Sequence, residues 1–192
     1  GRSTVEADSE VRHLSCDYDP DTHMYLVHYF KGQDGTAGWA VKSGSVSDAA
    51  SAYITYGTRL VHHTCNSVTG GSVVSMGNSK FFVAYNDGND FKAKVITVAS
   101  DRSCTGGSAV DFDDGGGTIE KGGLAYDPDT GRVVCVYRVA NDGTNNHRTY
   151  ATVFSVSGTT VTAGTPVIVE NGYNNGWPHC CYDKHTDRLV IT

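Results

Sequence analysis

The sequence predicts an all-β fold, and three observations carry that prediction. Glycine is abundant at 23 residues, while charged residues make up only 19% of the chain and aromatics 10%. Apolar residues recur in short runs bounded by Gly, Asn, Asp and Ser, without the spacing of amphipathic helices. One strand–turn–strand phrase also returns several times along the chain. Many short strands joined by tight turns give this profile.

The recurring phrase sets the organisation. Cys16-Asp17-Tyr18-Asp19-Pro20-Asp21-Thr22-His23 aligns with Leu124-Ala125-Tyr126-Asp127-Pro128-Asp129-Thr130-Gly131 and with Cys180-Cys181-Tyr182-Asp183-Lys184-His185-Thr186-Asp187. Each copy leads into an apolar run, the first two closing on Tyr29 and Tyr137. A degenerate copy lies between them, where Gly77-Asn78-Ser79-Lys80 joins a run ending at Tyr85. The marker tyrosines give a period of about 50 to 57 residues, and four strands per period is the signature of a β-propeller blade. The repeat divides the chain into the end of a preceding blade (1–13), three blades (14–65, 66–120 and 121–170) and the start of a further one (171–192). A propeller normally needs about four to eight blades, so a partial ring is expected, completed by more of the same polypeptide or by another chain.

The third unit shows its strands most plainly. They are expected at 123–127, 132–138, 148–157 and 159–170, with Asn- and Gly-rich turns at 141–146 and 157–159. Pro166 cannot donate to a ladder, which places the fourth strand at a sheet edge. In the Tyr-Asp-Pro-Asp-Thr-Gly turn, proline presets one corner, aspartate caps the backbone two residues on, and glycine supplies a positive-φ exit. Asp127, Asp129 and Thr130 raise calcium as a cofactor, but the Gly and Glu spacing of an EF-hand loop is missing and turn chemistry accounts for them. No other cofactor is expected.

Charge and hydropathy exclude some partners. A net charge of −6 without a Lys/Arg cluster argues against nucleic acid. No run of about 18 apolar residues is present, so no helical membrane insertion is expected. The six cysteines, Cys16, Cys65, Cys104, Cys135, Cys180 and Cys181, lack zinc-type spacing. Their even number reads first as disulfides in an oxidising compartment, with buried free thiols as the alternative. Fifteen pairings are open to six cysteines, and spacing selects none of them.

The phrase Tyr126-Asp127-Pro128-Asp129-Thr130-Gly131-Arg132-Val133-Val134-Cys135-Val136-Tyr137, followed by Tyr150-Ala151-Thr152-Val153-Phe154-Ser155-Val156-Ser157-Gly158-Thr159 and by Gly164-Thr165-Pro166-Val167-Ile168-Val169, resembles the propeller-like repeats of phage tail and fibre proteins and of large secreted proteins of aquatic microbes and algae. The resemblance implies a structural or adhesive role at an extracellular, cell or virion surface, and it transfers no catalytic residue.

Topology then points to where a ligand binds. In an antiparallel meander, the loops joining second to third strands share one face with the loops joining one unit to the next. Long loops on a rigid scaffold concentrate binding residues. They carry Trp39, Tyr173, Asn174, Asn175, Trp177 and His179, a set of rings and amides suited to a glycan or protein partner. His62 and His63, considered with His147 and His179, are not expected to ligate one ion, because adjacent strand residues face opposite ways; no metal site is expected. Asp111, Asp113, Asp114 and Glu120 supply acids of the kind glycoside hydrolysis uses, but no catalytic motif accompanies them. The expected function is therefore a non-catalytic structural or adhesive module, a fibre component open to self-assembly or a receptor-binding unit. A glycan-processing hydrolase or lyase is the alternative.

Overall fold

A computed structural model of the chain describes residues 10–32, 37–46, 54–66, 68–88, 90–113, 118–140, 147–171 and 176–192. Among them every regular element is a β-strand. The first sheet contains β1 (Glu10–Asp19), β2 (Met24–Gly32), β3 (Gly38–Val46), β4 (Ile54–Tyr56) and β5 (Leu60–Thr64). The second contains β6 (Gly71–Gly77), β7 (Lys80–Asp87), β8 (Asp90–Val98), β9 (Cys104–Gly106) and β10 (Val110–Asp113). The third contains β11 (Thr118–Asp127), β12 (Arg132–Ala140), β13 (Arg148–Ser157), β14 (Thr160–Ala163) and β15 (Val167–Asn171). A hairpin of β16 (Cys180–Asp183) and β17 (Arg188–Ile191) follows.

Each sheet is an antiparallel meander whose fourth strand is split in two. The halves, such as β14 and β15, pair with opposite ends of the same third strand. Pro166 falls in the gap, so the single strand expected over 159–170 is two short ones on the edge. A glycine marks each break: the amides of Gly57, Gly107 and Gly164 donate to the carbonyls of Ser43, Val95 and Val153. Two of these glycines are also points of close approach. A Cβ on Gly57 would lie 2.1 Å from the Arg102 carbonyl oxygen, and one on Gly107 would lie 2.6 Å from that of Thr159, each in the turn before the next sheet's fourth strand.

The sheets are stacked in sequence order. The first strands β1, β6, β11 and β16 lie against one another in succession. The middle sheet is covered on both faces, so β7 alternates between two cores: Phe81, Val83 and Tyr85 pack toward the first sheet, Phe82 and Ala84 toward the third. The third sheet is bare where the second is covered. Val153, Val167 and Val169 are exposed there, as are Val190 and Ile191 on the terminal hairpin.

The repeated turn does more than turn the chain. Asp19, Asp127 and Asp183 each accept the amide two residues on, at 2.9–3.0 Å, and the hydroxyl of Thr22, Thr130 or Thr186, at 2.5–2.7 Å. The residue that exits each turn has positive φ: His23, Gly131 and Asp187. The first copy also reaches the next sheet. Asp17 accepts from the Ser75 amide (2.6 Å), Asp19 from Ser79 (2.7 Å) and Asp21 from Asn78 (3.1 Å). The carboxylates expected only to cap their own turn therefore also staple one sheet to the next, satisfying amides of the neighbouring hairpin.

Two other expectations change. β1 begins at Glu10, so residues 10–13 belong to the first sheet; a bulge between Arg12 and Ser15, with His13 at φ 52°, hides the strand's alternation. The expected disulfides are not formed, and all six cysteines are free thiols. Cys16, Cys104 and Cys135 lie on strands of three different sheets, Cys65 follows β5, and the adjacent Cys180 and Cys181 project to opposite faces of β16. Cys135 is fully enclosed, and burial pushes its thiol well above the usual range, the behaviour of a small apolar residue.

Candidate functional site at the loop face

The meander brings together the beginnings of first and third strands and the ends of second and fourth strands. Asn86, at the end of β7, ties this face together. Its carboxamide oxygen accepts the amides of Thr69 (2.8 Å) and Gly70 (3.2 Å), and its backbone oxygen accepts the Trp39 indole N–H at 2.7 Å. Trp39 is 0% exposed and packs on His28, Phe30 and Tyr85. It is a core residue, and its ring offers no face to a ligand from solvent.

The two inter-sheet cores have the same plan but different chemistry. Strand register makes Tyr85 equivalent to Tyr137, Trp39 to Phe91, His28 to Ala84, and His62 to Phe112. Between the second and third sheets, Phe91, Phe112 and Tyr137 form an aromatic cluster with centroids 4.9–5.6 Å apart. Between the first and second sheets the corresponding space holds His28, Trp39, His62 and Tyr85, with His28–His62 at 5.3 Å and His62–Tyr85 at 4.9 Å. Burial drives the His28 imidazole down to about 3 and carries His62 the same way, helped by the charges of His28 and Lys94. Both nitrogens of His28, both of His62 and the Tyr85 hydroxyl lack a well-formed hydrogen bond. Lys94 donates to the His62 carbonyl (3.0 Å) and stands over the Tyr85 ring.

A bulge explains how His62 and His63 both reach this region. Trp39 pairs with His63 and Ala40 with Val61, which leaves His62 as the extra residue. An extra residue breaks the alternation of faces, so the rule that adjacent strand residues diverge does not hold here. Both imidazoles approach the Tyr85 ring, at 4.9 and 5.2 Å. The same bulge recurs at Phe112 and Val169, so it belongs to the repeat. Beyond it, His63, Cys65 and Asp87 bring an imidazole nitrogen, a thiol sulfur and a carboxylate oxygen within 4.8 Å of one another. His147 and His179 are not part of this group.

A cleft of about 220 Å³ lies at the starts of the first strands, lined by His13, Ser15, Ser72, Gly122, Trp177 and His179 among others. Trp177 is 59% exposed, and it also borders a neighbouring hollow with Thr149, Glu170 and Ile191. Trp177 and His179 thus share one concave surface, while Tyr173, Asn174 and Asn175 lie outside the described residues. Of the acids, Asp114 also lies outside them, and Glu120 is paired with Arg138. Asp111 and Asp87 both face Lys92, at 2.5 and 3.9 Å. An ammonium between two carboxylates makes an ion-pair bridge.

The Asp127–Asp129 turn gains a third carboxylate, Asp187, from the terminal hairpin. The Tyr182 hydroxyl lies 2.7 Å from Asp129 and 2.8 Å from Asp187, and these contacts push its ionisation upward. Among the described residues this is the acidic group that suits calcium by oxygen donor type, though Thr130 and Tyr182 already engage its oxygens. His28, Cys65 and Asp87 were not singled out by sequence. Aligning the second strands would have exposed one of them, because histidine stands at position 28 where the sister repeats carry Ala84 and Val136. No protein-family model matches the chain, and no curated protein matches its sequence.

Proposed function

We propose that the chain is a segment of a β-propeller that serves as a non-catalytic structural and adhesive module and binds a glycan through the cleft around Trp177 and His179. The observation that carries this reading is the serial contact of β1, β6, β11 and β16. Blades placed around an axis bring their first strands together in that order. The bare apolar face of the third sheet, on Val153, Val167 and Val169, supports it further. The equivalent face of the second sheet is covered by the next sheet, and a further blade gives Val153, Val167 and Val169 the same cover. The extracellular or virion-surface setting rests on the repeat resemblance, since the free thiols remove the disulfide argument for it.

Binding is assigned to the cleft because it joins an exposed indole to imidazole groups, the apolar face and polar partners that a sugar ring requires. A glycan array probed with the wild-type chain and with Trp177→Ala tests this. Retention of a glycan class by the wild type, weakened tenfold or more by the substitution, supports the reading. Retention unaffected by the substitution, or no retention, overturns the assignment of the cleft. Shortened glycans in the mass spectrum after incubation overturn the non-catalytic reading.

A further inference from the structure

We propose that His63, Cys65 and Asp87 form a binding site for a divalent transition metal of the zinc class. Three features of the structure converge on it. The donors come from two sheets, His63 and Cys65 from β5 and the residue following it, Asp87 from the end of β7, so their meeting is a product of the fold. The His63 Nε2 atom lies 2.8 Å from Asp87 Oδ2, a hydrogen-bond distance, yet without hydrogen-bond alignment. The contact is thus a close approach of two potential ligand atoms that no aligned hydrogen bond accounts for. The donor atoms all fall within 4.8 Å of one another, against roughly 3.3–3.8 Å between ligand atoms of a tetrahedral zinc site. Binding requires side-chain rotation to close that difference.

The internal repeat supplies the control. In the second inter-sheet core the position of Asp87 is Val139, while that of His63 is Asp113. The fold therefore packs the Asp87 place with hydrocarbon in the sister interface and keeps a donor type at the His63 place in both. In the first interface Asp87 adds a carboxylate beside the buried His28 and His62, whose ring nitrogens lack a well-formed hydrogen bond. Polar groups kept in a core that has an apolar solution mark a site put to use.

Charge and access fit the ion as well. A divalent metal with one thiolate, one carboxylate and a neutral imidazole is electrically balanced, the thiol proton leaving to solvent on binding. Lys92, the nearest cation to Asp87, is engaged by Asp111 at 2.5 Å. Cys65 is buried, but His63 and Asp87 are partly open, which leaves a way in. Mixed nitrogen, sulfur and oxygen donors suit zinc better than calcium or magnesium, which prefer oxygen alone. Three protein ligands also leave a fourth position for water or an incoming group.

Cobalt and zinc ions themselves are the probes. Added Co²⁺ is expected to give a thiolate-to-metal charge-transfer band and intense visible bands of tetrahedral type, saturating at one ion per chain and displaced by Zn²⁺. Cys65→Ser removes the charge-transfer band, and Asp87→Asn weakens binding by on the order of 100-fold or more, beyond the effect of losing an outer-shell partner. The double variant Cys180→Ser/Cys181→Ser leaves the spectrum unchanged. X-ray absorption of the zinc-loaded wild type, which needs no variant to fold, is expected to show one sulfur at about 2.3 Å with nitrogen and oxygen at about 2.0–2.2 Å. A first shell without sulfur, a band that survives Cys65→Ser, or a spectrum lost in the Cys180/Cys181 variant overturns the proposal.

Discussion

Replacing His28 by Val, the residue its repeat mate carries at position 136, should flatten the acid sensitivity of folding. His28 is 0% exposed, and its nitrogens complete no well-formed hydrogen bond. Burial lowers its pKa from 6.5 to about 3, the nearby Ser72 backbone opposing this only weakly. The folded state therefore holds the neutral ring while the unfolded chain binds a proton below pH 6.5. Stability rises with pH through that window and is lost as pH falls from 6.5 toward 3. One pKa unit corresponds to about 1.4 kcal/mol, so lowering the pH from 7 to 5 should cost about 2 kcal/mol through this side chain alone. That is a large share of a typical net stability of about 5–15 kcal/mol. Urea melts at pH 7, 6 and 5, with a chelator present, measure it. The wild type should lose at least this much and His28→Val markedly less, while gaining stability at pH 7 because a buried polar group is replaced by an apolar one. A wild-type stability that is flat between pH 7 and 5, or an undiminished loss in the variant, would refute the reasoning.

Other outcomes follow from the packing. Gly57→Ala forces a Cβ to 2.1 Å from the Arg102 carbonyl oxygen and should lower stability by about 2 kcal/mol or more, whereas Gly176→Ala, with nothing within 4 Å, should stay within about 0.5 kcal/mol; thermal melts compare them. Asp19→Ala strips the Ser79 amide and the Thr22 hydroxyl of their acceptor in a buried setting and should cost about 1–3 kcal/mol, more than the same change at the less buried Asp183. Thiol titration without reductant should find Cys16 and Cys181 reactive in the native state and all six cysteines in denaturant; fewer than six in denaturant would mean that disulfides form.

The strand repeat was legible because it is written in turn chemistry. The Asp-Pro-Asp-Thr phrase and the closing tyrosines mark the first two strands of a unit, and the structure puts hairpins there. The split fourth strand was harder to read, since its signal is a glycine at 57, 107 and 164 among many others. The loop face followed from connectivity alone. Its chemistry did not, because a bulge of one residue reverses which side chains share a face, and nothing local in Val61-His62-His63 announces one. Trp39 and Trp177 show the same limit: both flank loops, yet one is sealed in the core and the other stands in solvent. Sequence spacing fixes which residues are loop neighbours, while tertiary packing decides which of them meet water.

The sheets are stacked in order through their successive first strands and through close glycine contacts between neighbours. Nuclear Overhauser measurements on the isotope-labelled chain test this most directly, by looking for Gly57 against Arg102, Gly107 against Thr159, and Gly123 against His179. The stacked arrangement predicts all three proximities together. Sheets that meet only in one pair, with the Gly107–Thr159 or Gly123–His179 contact missing, would contradict it.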